Sequence, residues 1–444
     1  MRKIILQAQV KKAIEMLRVS GYDGYVVGGA LRDFILQKEP TDIDITTNAI
    51  PPEIVKIFSE YKVIETGIKH GTVTVVIESF HIEITTYRVD GKYSDNRHPD
   101  FINFTLSLKE DLARRDFTMN AIAYNEKDGI IDFYNGEKDI SEKTIRCVGD
   151  AFERFKEDAL RIFRAVRFAS VLSFEIEEQT HKAMQKNKEL LLNVSVERLY
   201  VELSKMLCGE DIKNVLLKYI DIIGVIIPEL LPLKGLSQNN PYHIYDALTH
   251  TAVAVSCIEN VLYLKIAMLF HDLGKAKTYT EDEKGIGHFY GHSEISEQMA
   301  RDILRRLKVD KFTLDRVCIL IKYHDLKLMK NKRFIKKWLN KLSKEVFMEL
   351  LLVKKADDLA KNESCFLRIK FYEEIKEMAE EIIAEGSCFN LCDLKVNGKD
   401  LINIGITRGD KIGKTLKLLL EGVIDDEIPN EKDDLLKTAL KINE

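Results

Sequence analysis

Asp42 and Asp44 lie two residues apart in TDIDIT, just after the glycine pair and arginine of GGALRD, Gly28 to Asp33. In a strand, residues i and i+2 point the same way. The two aspartates therefore project from one face, while Ile43 and Ile45 point to the other. Carboxylates this close repel unless a cation lies between them. Hard oxygen ligands with open positions suit Mg²⁺, which also binds substrate phosphates. A bare D-x-D reads as a solvated strand face, and it is the residues upstream that change the reading. Gly28 and Gly29, before the predicted helix ALRDFILQ, let the backbone approach a phosphate, and a helix start favours anions. Arg32 on the first turn reaches the same phosphates. GGALRD is not the G-x-G-x-x-G of a dinucleotide site. Turn, arginine and carboxylates within about 17 residues, 28 to 44, describe a triphosphate site. The matching chemistry is nucleotidyl transfer, in which a 3′-hydroxyl attacks an α-phosphate in line. Divalent metal lowers the hydroxyl's pKa and neutralises the leaving pyrophosphate, and cationic clamps stabilise the transferring group.

Three further stretches follow in order: KEDLARRDFTMNAIAY, Lys109 to Tyr124; EDALRIFRAVRF, Glu157 to Phe168; and SVERLYVEL, Ser195 to Leu203. With GGALRD and DIDI they resemble the class II bacterial tRNA nucleotidyltransferases, the CCA-adding enzymes, whose head is shared with the bacterial poly(A) polymerases. The resemblance is strong over roughly residues 20 to 205. It implies a DNA polymerase beta-like head in which Asp42 and Asp44 hold the catalytic metals. By the same resemblance Gly29, Arg32 and Arg115 bind the nucleotide, Asp158 and Arg161 recognise its base, and Arg164 and Arg167 also face it. Glu83 in HIEITTYR is a candidate third carboxylate.

Base choice has a physical form. Cytosine and adenine share an exocyclic amine donor beside a ring-nitrogen acceptor, whereas uracil and guanine show the reverse. An aspartate beside an arginine complements the first pattern only. Glu153 to Ala169 reads as one helix, with Phe155, Ala159, Ile162, Phe163, Val166 and Ala169 on an apolar face. Asp158, Arg161, Arg164 and Arg167 wind around the other side, with Asp158 and Arg161 on neighbouring turns. On its own the stripe is also readable as a solvated face with an i,i+3 pair.

A second cluster lies further on. LKIAMLFHDLGKAK ends an apolar helix on His271 and Asp272. His250 lies upstream, and His292, His324 and Asp357 lie downstream. This order resembles the HD-domain metal-dependent phosphohydrolases. The resemblance implies His250, His271, Asp272 and Asp357 as core ligands, with His292 and His324 available for a second metal. Asp357 and Asp358 are interchangeable at this stage. Imidazole with carboxylate suits a transition metal.

These residues need elements to hold them. YVVGG, DIDIT, TVTVVI and HIEITTY read as strands, and PPEIVKIFSE as a helix opened by prolines. From about 88 to 110 the chain reads as loop, and from about 150 onward as helix. The expected layout is an α/β nucleotidyltransferase head followed by an all-α neck, body and tail. Head is 1–145, neck with the base-recognition helix 146–225, body with the HD module 226–370, and an RNA-binding tail 371–444. LLPLKGLSQNNPYHIYD, around 230 to 246, is the linker candidate. Gly409-Asp-Lys-Ile-Gly413-Lys-Thr is one residue short of a P-loop and follows no strand, so it is not an ATPase motif. It reads as a glycine-rich turn before a basic helix, suited to nucleic-acid backbone contacts or simply solvated.

The chain has 444 residues, 45% hydrophobic and 31% charged, with net charge -4. That length allows more than one core, and the charge confines any nucleic-acid surface to a local patch. The N-terminus carries neither a secretion signal nor a membrane span. The seven scattered cysteines imply no disulfide framework. The expectation is a cytoplasmic enzyme with tRNA, CTP and ATP as partners and no membrane, using Mg²⁺ in the head. Its reaction is template-independent CCA addition. A-only addition and poly(A) polymerisation remain alternatives, as does a phosphohydrolase with a nucleotide-binding head. TTYRVDGKYSDNRHPD, 85 to 100, looks complete, which argues against CC-only addition.

Overall fold

Alternation builds the sheet of the first half. In β4, Thr72–Ile77, Val73, Val75 and Ile77 are fully buried, while the intervening residues keep partial exposure. In the computed structural model, residues 4–40, 42–91 and 101–443 are described, and the chain forms two units, Met1–Leu231 and Pro232–Glu444. The division falls at the start of the linker candidate.

The first unit carries a seven-stranded mixed sheet. Its strands are β1 (Tyr25–Val27), β2 (Ile43–Thr47), β3 (Lys62–Ile64), β4, β5 (Phe80–Thr86), β8 (Ile122–Asn125) and β9 (Gly129–Asp132). Their order is β3-β4-β5-β2-β1-β8-β9. β2 runs parallel to β5, with Asp44 opposite Glu83, and antiparallel to β1, with Asp44 opposite Val27. One residue beyond Val27 comes Gly28, and then the helix Gly29–Ile35. The register thus brings the glycine turn, Asp44 and Glu83 to one place.

Two expectations for the first unit do not hold. The stretch from 88 to 110 is not all loop. β6 (Arg88–Asp90) and β7 (Ile102–Phe104) pair antiparallel, and the helix Leu108–Ala113 follows, capped by the Ser107 hydroxyl. Three-residue strands give too little alternation to read. Residues 92–100 of TTYRVDGKYSDNRHPD, on which the completeness of that loop rests, lie outside the described residues. The second correction concerns 153–169, which form two helices, Ala151–Glu157 and Leu160–Leu172. Asp158 sits between them in extended conformation (φ −134°, ψ 102°), and its Oδ1 accepts from the N–H of Leu160 at 3.1 Å. Short polar side chains that bond the nearby backbone compete with a continuing helix, and here the side chain wins.

The second unit is helical apart from a two-strand ribbon, Thr280–Glu281 with Gly287–His288. The helix Leu262–Phe270 is apolar on nearly all sides and buried accordingly. A separate core near the C-terminus gathers Leu401, Leu419, Leu435 and Ala439. Gly409 and Gly413 stand in the first turns of the helix Gly409–Ile424, so the glycine-rich turn expected there is helix. Among the described residues, no helix is long and apolar enough to cross a membrane.

Candidate functional site

The sheet register assembles a cavity of about 410 Å³ in the first unit, lined by Gly28, Gly29, Arg32, Asp42, Asp44 and Arg115 on one side. Asp116, Asn120, Arg164, Arg167, Phe168 and Lys205 line the other. Asp42 stands at the bend before β2 and Asp44 within it. Gly28 has φ +75°, and a Cβ there would meet Arg115 Nη1 at 3.1 Å and Asp44 Oδ2 at 3.6 Å. Any side chain at 28 would be strained and would fill the space between the guanidinium and the carboxylate.

Burial pushes the Asp44 carboxyl above its ordinary value; Arg115 opposes this, and Glu83 and Asp42 add to it. A half-buried carboxylate beside two others is destabilised as an anion, and a hard cation resolves the conflict. Asp42 and Asp44 line the cavity and offer oxygen donors, the type a hard divalent ion takes, while Glu83 is in register with Asp44 on the neighbouring strand.

A chain of charge-assisted bonds runs through the lining from Arg32 to Glu202. Arg32 donates to Asp33 at 2.7 Å and to Asn120 Oδ1 at 2.9 Å. Asn120 donates to Asp116, whose Oδ2 takes two bonds from Arg164 at 2.7 and 3.0 Å. Glu202 of the helix Val196–Leu207 receives Arg164 at 3.3 Å and Arg167 at 2.8 Å. The guanidiniums of Arg32, Arg164 and Arg167 all lie over the Phe168 ring, Arg167 at 3.5 Å from its centroid. The wall presents pre-aimed cations, the arrangement that stabilises charge on a transferring phosphoryl group.

Burial raises the pKa of Asp116, but the Arg164 guanidinium, Asn120 and the N–H of Phe117 outweigh it and hold the carboxyl well below the usual range. A folded-state pKa below the unfolded one contributes stability above about pH 4, lost as pH falls through the folded value. Asp116→Asn is therefore expected to lower stability at pH 7 by about 3 kcal/mol, since it removes the carboxylate that takes two bonds from Arg164 and leaves that guanidinium only Glu202. That difference shrinks as pH falls below about 4. Urea midpoints for both proteins at pH 7, 4 and 3 check this, and a gap unchanged down to pH 3 contradicts it.

The base-reading pair is placed differently from expectation. Asp158 and Arg161 do not line this cavity. Asp158 pairs with Arg198 at 3.1 Å. Arg161 is buried, donating to Glu157 Oε2 at 2.8 Å and to the carbonyls of Arg154 and Arg114. Arg164 and Arg167 do face the cavity. Sequence reasoning missed Asp33, Asp116, Asn120, Phe168 and Lys205. Asp116, Asn120 and Phe168 lie inside the motifs already singled out, and Lys205 is one turn beyond Glu202.

In the second unit the six expected ligands converge. His250 Nε2 lies 3.0 Å from Asp357 Oδ1 and 3.4 Å from Asp272 Oδ2, and His271 Nε2 lies 3.1 Å from Asp272 Oδ2. His292 and His324 approach Asp272 Oδ1 at 3.5 and 3.8 Å. Asp358 is turned away to Tyr372 and Arg368, which resolves the Asp357/Asp358 choice. Each Nδ1 meets a backbone carbonyl: His250 with Ala360, His271 with Met268, His292 with Phe289 and His324 with Ile321, at 2.7–3.1 Å. A carbonyl only accepts, so each Nδ1 carries the proton and each Nε2 offers a lone pair. The buried Nε2 atoms of His250 and His271 make no well-formed hydrogen bond, and those of His292 and His324 face each other at 3.1 Å. Converging lone pairs of this kind fit a bound cation, in two ligand groups that share Asp272.

Three family models match the chain. Residues 24–146 match the poly A polymerase head domain, 173–234 the RNA and SrmB-binding site of polymerase A, and 278–439 the tRNA nucleotidyltransferase domain 2. A CCA-adding enzyme of Lactococcus lactis subsp. cremoris (strain MG1363) is 32% identical over 440 residues, 98% of this chain and 96% of that protein. One from Geobacillus thermodenitrificans (strain NG80-2) is 50% identical over 196 residues, 44% and 48% of the two chains. The crystal structure of the Bacillus stearothermophilus CCA-adding enzyme in complex with CTP superimposes with a TM-score of 0.74 at 28% identity, covering 99% of this chain and 98% of that one. The Thermotoga maritima CCA-adding enzyme complexed with tRNA_CCA matches in fold at 0.62 and 21% identity, covering 99% and 97%.

Proposed function

The chain belongs to the CCA-adding enzymes, and from that premise we propose how its own residues perform the addition. The reaction adds C, C and A to the 3′ end of tRNA from CTP and ATP without a nucleic-acid template. The observation that carries the assignment of the site is the single cavity bounded by Asp44, the Gly28 turn and the row of guanidiniums. Enzymes of this family use divalent metal. Mg²⁺ matches the all-oxygen set of Asp42, Asp44 and Glu83, and the chemistry it supplies is activation of the attacking hydroxyl and charge neutralisation at the phosphates. The backbone at Gly28 and Gly29 receives the triphosphate. Arg32, Arg115, Arg164 and Arg167 orient it, and Phe168 keeps three of these guanidiniums in one stack. A tRNA substrate supports a cytoplasmic location as part of this reading.

Asp158 and Arg161 present the acceptor and donor that a cytosine or adenine edge requires. To meet a base, Asp158 exchanges Arg198 for the amine, and Arg161 exchanges Glu157 for the ring nitrogen. A site built to hydrogen-bond its substrate rejects mismatches by about 10⁴-fold or more. Asp158→Ala is therefore expected to lower kcat/KM for CTP and ATP and to narrow the gap to UTP at least tenfold. Comparing all four nucleotides on a tRNA lacking CCA is the measurement. Wild-type discrimination in both Asp158→Ala and Arg161→Ala removes the pair from base selection.

The histidine–aspartate cluster supports a second activity in the second unit, metal-dependent phosphoester hydrolysis. His250, His271, Asp272 and Asp357 would hold one transition metal, and His292 and His324 with Asp272 a second. Lys275, 2.7 Å from Asp272, and Lys361, 2.6 Å from Asp357, balance the carboxylates at the same cavity.

A further inference from the structure

A second cavity in the helical unit, about 550 Å³, does not contain the histidine cluster. Its charge is lopsided: Lys327, Lys354 and Arg368 line it against one carboxylate, Asp325. Leu328, buried, and the half-buried Phe371 ring supply apolar wall. Lys327 alone would be an ordinary solvated lysine. Lys354 is different: it is half-buried, and its Nζ donates to the carbonyl of His324 at 2.8 Å. Among the described residues no carboxylate lies within 4.0 Å of that ammonium. Arg368 lies over the Tyr242 ring with its centroid 5.6 Å away, and touches Asp358 at 3.4 Å with one nitrogen only, leaving donors for a second partner. The volume lies in the range of small-ligand sites.

We propose that this cavity binds a nucleoside monophosphate, with the phosphate between Lys354 and Arg368 and the base against Phe371. Two lysines and an arginine lining one cavity favour a phosphate over a neutral ligand, and the Phe371 ring in the same lining suits a base. The cavity borders the histidine cluster, sharing Asp325 with the cavity beside it, but the proposed site needs no metal.

The chain holds one tryptophan, which makes the test specific. Trp338 packs edge-on against Tyr323, with ring centroids 5.1 Å apart, and Tyr323 directly precedes His324, whose carbonyl holds Lys354. Trp338 fluorescence therefore reports on the part of the second unit that holds Lys354 and His324. With EDTA present, AMP is expected to give a saturable change, and inorganic phosphate one at least tenfold weaker. Lys354→Met and Arg368→Gln each weaken AMP by roughly ten- to a hundredfold, the effect of losing a hydrogen bond to a charged group. Phe371→Ala weakens AMP and leaves phosphate unchanged. Equilibrium dialysis at one AMP concentration near the wild-type Kd gives occupancy in Lys354→Met at least fivefold below wild type. Equal occupancy of the two proteins at that concentration overturns the proposal, and so does a Trp338 signal that survives both charge variants. Affinity that climbs with the length of an oligoadenylate overturns it in favour of RNA.

Discussion

Asp44→Ala and Asp42→Ala are each expected to lower the single-turnover rate of nucleotide addition by about 10³-fold or more while tRNA affinity stays within a few-fold of wild type. Removing a ligand forfeits several kcal/mol of metal-assisted stabilisation, and each 1.36 kcal/mol is tenfold in rate. Asp44 sits in β2 between Val27 and Glu83, beside the Gly28 turn. Its loss leaves the arginine wall, and with it triphosphate binding, in place. Quench-flow in Mg²⁺ with a tRNA lacking CCA gives the rate, and filter binding gives the affinity. Addition at near wild-type rate by either variant would move the active site elsewhere.

The second large effect separates the two units. His271→Ala with Asp272→Ala removes one imidazole and the carboxylate common to both ligand groups. Bound transition metal, measured by mass spectrometry after dialysis, is expected to fall from one or two ions per chain to none. Hydrolysis of a phosphoester such as p-nitrophenyl phosphate falls to background, and CCA addition stays within a few-fold. If the folded double variant keeps wild-type metal content and hydrolysis, the six residues are a structural cluster. If CCA addition collapses as well, the cluster serves the first reaction.

Much of this architecture is written in local pattern. Alternation in TVTVVI and HIEITTY announced the strands because one face of each is buried in the core. The D-x-D spacing announced the carboxylates, and both line the cavity, although Asp42 stands at the bend before β2 and not within the strand. Other features depend on contacts between distant residues. Asp116 and Asn120 sit in a motif that was singled out, yet their place between Arg32 and Arg164 comes from the fold, with 88 residues separating Arg32 from Asn120. Asp357 and Asp358 were interchangeable until the helix Lys344–Leu359 set their rotation, because neighbours on a helix point about 100° apart. The break at Asp158 escaped for another reason. The apolar periodicity runs through it, and only a side-chain bond to Leu160 N–H interrupts the helix. Asp158, proposed above to read the base, is tied by that bond and the Arg198 pair and does not line the cavity it was expected to line.

The central claim, that this chain builds CCA on tRNA by itself, is tested most directly by product length. Purified protein is incubated with tRNA ending before CCA, in Mg²⁺, with CTP alone, ATP alone, both, or all four nucleotides. The products are resolved at single-nucleotide resolution. Growth by two residues with CTP alone, by three with CTP and ATP, and a stop at three even with all four nucleotides is the expected result. Addition of A alone to tRNA already ending in CC, or an open-ended run of A, would contradict it.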